Sequence, residues 1–445
     1  MLTLPKFNLK KIFKPLLILL LFLIVFSLGI GATYIYFQKT KTPTQNIVQV
    51  NQNTYVAFIS EIYDLITDNY WNQIEEPVLN DLFIKATIKL IGQPQAEQPQ
   101  TKQELLDYIE NLIKYYDTDE QKIEYVAHVS DLVLANLEPF GRSRLYSQQM
   151  QEDLSNTVAN KNPDKDRYQD LGVGKDASQE DIEQAYQQQS QIWDPQTNES
   201  TEAAQRYQAV QEAYNALKDE QQRKIYDESG VEPTMEYKLL NKNTLYLHLS
   251  KFSPTTFEEL QRVTDRFNGR PELDSLVLDL SNNIGGAIDG LPYFLGPFIG
   301  NDQYAYQFFH QGKKTDYKTK IGWLPGLVQY KKVVILANEN SQSTAEMMAS
   351  VLKKYNVGVL LGQTTMGWGT IERIFPLETI IDENAKHSVF LVHSLTLRED
   401  GIPIQDNGVE PSISISSPTW KQELLKYYDN PTFIYAVEEA WNFNN

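Results

Sequence analysis

Residues 338–344 read Asn-Glu-Asn-Ser-Gln-Ser-Thr and hold side chains able to take part in acyl transfer. They follow an apolar run, 333–337, that reads as a buried strand. They precede residues 346–355, where Met347, Met348, Val351 and Leu352 fall at helical spacing. A small hydroxyl at a strand-to-helix corner has its oxygen exposed, and the helix N-terminus beneath it stabilises negative charge. The plainer reading is an N-cap, since Ser and Thr are favoured there for the helix alone. The local pattern fits both.

A wider pattern separates them. The stretch from 338 to 373, NENSQSTAEMMASVLKKYNVGVLLGQTTMGWGTIER, resembles the core of the carboxy-terminal processing peptidases, or tail-specific proteases. These are serine peptidases that work with Ser and Lys. Their corner reads like NEGSASASE, and the attacking serine falls on Ser343. Their Lys stands in an FGKG turn that falls on Met366-Gly367-Trp368-Gly369, so the Lys position is Trp368. The family's helper Gln falls on Glu372. Residues 276–286 resemble the family's LDLRNNPGG turn, with Ser281 and Ile284 at the Arg and Pro positions. That turn implies an oxyanion site made by the backbone N–H groups of Gly285, Gly286 and Thr344. GIPIQDNGVEP at 401–411 is similar to the family's GRSIQGVGIEP, and 137–154 to its LDPHSSYLTPEEF segment. The resemblance implies an α/β fold with a crotonase-like core.

The change at 368 governs the functional expectation. A serine hydroxyl is a weak nucleophile until a neighbouring base takes its proton. A buried Lys does this because desolvation lowers its pKa; an indole nitrogen only donates. Losing such a base costs on the order of a millionfold in turnover, leaving roughly a thousandfold over water. Lys353 and Lys354 lie about 15 Å up the same helix, out of reach. His393, on the apolar face of an alternating run at 388–397, reads as a core histidine. Glu372 serves as base only if burial raises its pKa. The expectation is a degenerate serine peptidase, inactive or very slow, that binds peptide or unfolded segments. The alternative is an active endopeptidase using Ser343 with Glu372.

The elements that must position this site occupy 236–417, where strand–helix alternation argues an α/β core. A helical cap is predicted over 418–445 and a helical region over 54–158, the latter with apolar stripes at Phe58, Ile62, Leu65 and Ile66. Between them, 159–235 resembles a J domain through Tyr168, Leu171-Gly172-Val173, Ala185-Tyr186, Ala213-Tyr214, Leu217, Arg223 and Tyr226-Asp227. It stands where the peptidase family places a PDZ domain. J domains stimulate a chaperone ATPase through His-Pro-Asp, and here the tripeptide is Asp194-Pro195-Gln196. Their basic helix face has become Gln187, Gln188, Gln189 and Gln191. Electrostatic docking on the ATPase has little left to work with. The module is therefore expected to make protein contacts or act as a spacer.

Composition narrows the classes. Forty basic against 58 acidic residues give a net charge of −18 over 445 residues, which disfavours general nucleic-acid binding. There is no Cys, so disulfides and thiolate metal sites are excluded, and the five His form no HExxH pair. No metal or cofactor is expected. Residues 1–15 carry Lys6, Lys10, Lys11 and Lys14 without an acid, and 16–37 carries no charge. That run is long enough to span a bilayer as a signal anchor, with the N-terminus cytoplasmic, a 38–53 linker and the remainder outside.

Overall fold

The computed structural model describes residues 53–92, 99–195, 197–198, 200–383 and 385–444. The predicted span at 16–37, and Gln196 of the J tripeptide, lie outside the described residues. Among the described residues no helix is long and apolar enough to cross a membrane.

The chain opens with four helices, α1 (Thr54–Asn69), α2 (Glu76–Ile91), α3 (Lys102–Ile113) and α4 (Asp119–Ala135). Thr101 and Thr118 cap the third and fourth, each accepting a backbone N–H three residues on. A short strand, β1 (Arg144–Ser147), and α5 (Gln148–Val158) follow. The J-like module holds α6 (Arg167–Leu171), α7 (Gln179–Ile192), α8 (Thr201–Leu217) and α9 (Glu220–Ser229). The remaining chain runs β2 (Met235–Leu239), β3 (Thr244–Leu249), α10 (Thr256–Phe267), β4 (Ser275–Asp279), a 3-10 turn, α11 (Leu291–Ile299), β5 (Tyr304–His310), β6 (Lys313–Lys318) and α12 (Pro325–Val328). It continues with β7 (Lys332–Ala337), α13 (Thr344–Lys354), β8 (Val359–Gly362), β9 (Thr370–Pro376), β10 (His387–Leu397), β11 (Ile413–Ser414), α14 (Trp420–Tyr427) and α15 (Pro431–Asn444).

The strands form two sheets, of six and five strands. The first has the order β11-β8-β7-β4-β3-β2, parallel except for β2 at its edge. Both faces are covered, one by α10, α11 and α13 and the other by α14 and α15. Double covering explains why β4 and β7 read as unbroken apolar runs. The second sheet is built on β10, which pairs β1 and β5 along one side and β9 along the other. β1 thus draws the segment after α4 into the peptidase-like core, so the N-terminal region is not purely helical. Ser143 Oγ accepts from Val392 N–H at 3.1 Å and fixes that segment beside β10.

The J-like module behaves as an insertion with adjoining ends. Lys161 and Val231 form an antiparallel bridge, and Glu232 N–H donates to Asn160 O at 2.9 Å. Its core is Tyr168, Leu171, Ile182, Val210, Ala213, Ala216 and Leu217, so the residues that carry the J resemblance are mainly packing residues. Arg167, 2% exposed, ties the module to the strand-bound linker. It bonds both carboxylate oxygens of Glu232 at 2.8 and 2.7 Å, with Asp170 at 3.1 Å and Glu212 at 2.9 Å. Glu259 on α10 then takes the N–H groups of Thr234 and Met235 and anchors the exit. Removing Arg167 leaves buried carboxylates without a counter-charge. Arg167→Ala is expected to cost about 3–5 kcal/mol, measured as an earlier urea transition and faster proteolysis within 159–235.

Candidate active site

The corner after β7 holds two serines with different surroundings. Ser341 is fully buried; its Oγ donates to Leu280 O at 2.7 Å and accepts from Asn338 N–H at 3.0 Å. Ser343 is half-buried and has φ 53° and ψ −117°. A non-glycine residue at such angles stores about 1–3 kcal/mol and persists only where its surroundings over-determine it. They do so here. Asn283 O accepts Gln342 N–H at 2.8 Å, Asn338 Oδ1 accepts Asn282 N–H at 2.9 Å, and Asn282 Oδ1 accepts from the Nδ2 groups of Asn338 and Asn340 at 3.0 Å. Gly285 lies so close that a Cβ there would stand 2.7 Å from Ser343 Cβ. Ser343 also occupies the N-cap of α13, with the Glu346 carboxylate taking its N–H, so both local readings describe one residue.

Glu346 joins the two halves of the site. Its side chain is fully buried and accepts four hydrogen bonds. Oε2 takes Ser343 N–H at 2.8 Å and Trp368 N–H at 2.7 Å; Oε1 takes Thr365 Oγ1 at 2.5 Å and Gly367 N–H at 2.7 Å. The serine corner and the Trp368 turn therefore share one carboxylate oxygen. The turn is closed from behind by Gln405, whose Oε1 accepts Gly369 N–H at 3.0 Å. A Cβ on Gly369 would stand 2.1 Å from Gln405 N, which accounts for the surviving glycine frame.

The oxyanion expectation needs one correction. Gly285 N–H donates to Asn283 Oδ1 at 2.8 Å and is not available to a substrate. Among the described residues Gly286 N–H and Thr344 N–H have no hydrogen-bond acceptor. Thr344 Oγ1 donates to Gly286 O at 3.0 Å and holds the glycine turn against the start of α13. At the position corresponding to the family's Arg, Ser281 Oγ is buried without a partner among the described residues.

No Lys, His or carboxylate hydrogen-bonds Ser343 Oγ among the described residues. Lys353 donates to Glu410 O at 2.8 Å and Lys354 pairs with Glu399 at 2.8 Å, both facing away. His393 sits at a bulge in β10, stacked on His310 with centroids 4.2 Å apart. Its Nδ1 and Ser394 Oγ lie 2.8 Å apart, and burial, Arg373 and His310 push its pKa down to about 4.

The Trp368 ring is held from two sides. The Arg142 guanidinium lies over it, 3.1 Å from Cζ to the ring centroid. Glu372, half-buried with an enclosed carboxyl, is raised above its ordinary pKa by burial; hydrogen bonds from the Thr370 hydroxyl and the Trp368 side chain, and the Arg142 charge, oppose the rise. Thr370 Oγ1 donates to it at 2.6 Å. The structure thus brings Ser343, Thr344, Gly285, Gly286 and Trp368 together and adds Arg142 and Glu346. Glu346 had a sequence signal, since Ser-x-x-Glu is a capping-box spacing. Arg142 had none in its own neighbourhood. Asp194 and Pro195 follow the end of α7, where Asp194 O accepts Thr197 N–H at 3.0 Å.

Comparison with known proteins agrees with this layout. Residues 243–415 match the Peptidase family S41 profile, and residues 166–227 match the DnaJ domain. A carboxy-terminal-processing protease of Bartonella bacilliformis is 28% identical, over 41% of this chain and 41% of its own. A chaperone protein DnaJ of Levilactobacillus brevis is 48% identical, over 15% of this chain and 17% of its own. The solved photosystem II D1 C-terminal processing protease is 21% identical with a TM-score of 0.33, over 39% of this chain and 42% of that one. The chain spans less than half the length of these curated relatives. Residues 243–415 are thus similar to S41 peptidases, among them carboxy-terminal-processing proteases, and residues 166–227 to DnaJ domains.

Burial holds the Glu346 carboxyl above its ordinary value of 4.5, against the pull of its four hydrogen bonds. The folded state therefore keeps this proton to higher pH than the unfolded chain. Its contribution is fully present below pH 4.5 and is lost as pH rises through the folded value. Glu346→Gln should flatten that part of the stability–pH curve in thermal melts between pH 4.5 and 7. It also turns an amide NH2 toward N–H donors, so a loss of about 3–5 kcal/mol is expected at neutral pH.

Proposed function

We propose that this chain is a membrane-anchored, extracytoplasmic peptidase-family protein whose Ser343 cleft binds peptide or unfolded protein segments without cleaving them. The observation that carries the reading is the surroundings of Ser343. Its backbone is strained as a nucleophile's would be, and among the described residues two N–H groups beside it have no acceptor and no base hydrogen-bonds its oxygen. Position 368, where the relatives' general base is expected, offers an indole clamped between Arg142 and Glu372. Such a site retains stabilisation for a developing oxyanion and lacks the proton acceptor that starts the reaction. The raised pKa of Glu372 favours an active enzyme with Glu372 as base. Against it, that carboxylate is engaged by Thr370 and by the Trp368 side chain. The J domain is read as a contact element or spacer: it is docked through Arg167 and through Arg262, which donates to Gln222 at 3.0 Å. The anchor at 16–37 and the orientation rest on charge and length alone.

The full chain incubated with unstructured peptides is expected to show no turnover that Ser343→Ala removes, and no labelling by a serine-reactive phosphonate. Robust Ser343-dependent cleavage by the unaltered chain would sink this reading. Trp368→Lys is expected to introduce cleavage. A Lys there lies beside Arg142, whose charge lowers its pKa toward that of a working base. Cleavage should be followed by mass spectrometry, with Trp368→Lys/Ser343→Ala as the silent control.

A further inference from the structure

We infer that Arg142 binds a carboxylate group on the peptide segment held in the Ser343 cleft. The inference rests on the peptide-binding reading above and adds the chemical feature selected. A guanidinium stacked on an aromatic ring uses its face, which leaves its in-plane N–H edge free for a second partner. Arg142 is stacked in this way on Trp368, and its guanidinium forms no ion pair or hydrogen bond among the described residues. It is half-buried, where an arginine normally has a carboxylate.

The acids around it do not fill that edge. Glu346 is saturated by four donors. Glu372 is turned to Thr370 and the Trp368 side chain. Asp406 Oδ1 accepts from Gln405 Nε2 at 2.8 Å. All three act on Arg142 through charge alone. Their field favours the guanidinium's charge, while its hydrogen-bonding edge has no acceptor among the described residues.

The location points to a cleft ligand rather than to the surface at large. Arg142 lies over the ring of Trp368, whose N–H shares a carboxylate oxygen with Ser343 N–H. A segment passing the serine corner therefore meets this cation. A carboxylate fits the planar N–H fork in bidentate fashion, and an amide does not. The group comes either from a chain terminus or from an Asp or Glu side chain.

Three peptides separate the sources: acetyl-Ala-Ala-Phe-Ala-Ala as free acid, the same peptide as C-terminal amide, and acetyl-Ala-Asp-Phe-Ala-Ala amide. Each is titrated into the full chain by calorimetry. At least one carboxylate-bearing peptide is expected to bind roughly tenfold tighter than the plain amide; which one does so identifies the source. Arg142→Gln should erase that gap, and Arg142→Lys, a charge without the fork, should keep only part of it. Equal binding of all three overturns the inference and leaves the peptide-binding reading intact. An unchanged gap in Arg142→Gln also overturns it. No binding by any of the three overturns both. The comparison among peptides uses the unaltered chain, so it does not depend on a variant folding.

Discussion

The site depends on one buried carboxylate. Glu346 stands three residues into α13 from Ser343 and receives N–H groups from the serine corner and from the 365–368 turn. Burying a charge is unfavourable unless hydrogen bonds meet its lone pairs. Here four donors oppose the cost of burial, and they join two segments that also meet where Met366 N–H donates to Ser341 O at 3.1 Å. These bonds hold the turn against the start of α13. The hydrogen bonds run from the backbone at 367 and 368, so they are indifferent to what residue 368 carries.

The result is a site whose frame and chemistry have separated. The strained Ser343 backbone, the free N–H groups of Gly286 and Thr344 and the asparagine network are what acyl transfer requires. At position 368 stands an aromatic ring, which Arg142 covers. The ring does not float in an emptied space. A cation lies over its face, and its side chain acts on the Glu372 carboxyl. The strain at Ser343 persists because the corner's hydrogen bonds, rather than catalysis, hold it.

Much of this was legible in the sequence because it was local. The corner, its flanking strand and helix and the Gly-x-Gly frame are short-range patterns, and each falls within a residue or two of its expected place. The sheet partition was not legible. β9 and β10 are less uniformly apolar than β4 and β7, but pairing partners are not written in a strand's own composition. The contribution of 138–147 was also hidden. Those residues reach the site only because β1 pairs with residues 387–390 of β10, a long-range contact. The oxyanion assignment missed at Gly285 for a smaller reason: the Asn283 side chain folds back onto the following turn, as Asn often does.

The J domain shows the same separation at the scale of a module. Tyr168, Leu171, Ala213 and Leu217 persist in its core, and Tyr186 and Tyr214 stack 3.8 Å apart. Each of these residues supports the helical packing. The positions that differ, Gln187 to Gln189 and the tripeptide beginning at Asp194, lie where a partner would be met, and core packing places no demand on them. Meanwhile Arg167 and Glu232 bind the module to the linker that enters β2. A domain that must meet a separate chaperone gains nothing from being fixed to its neighbour. Here the Arg167 ion cluster holds the module where its two ends adjoin.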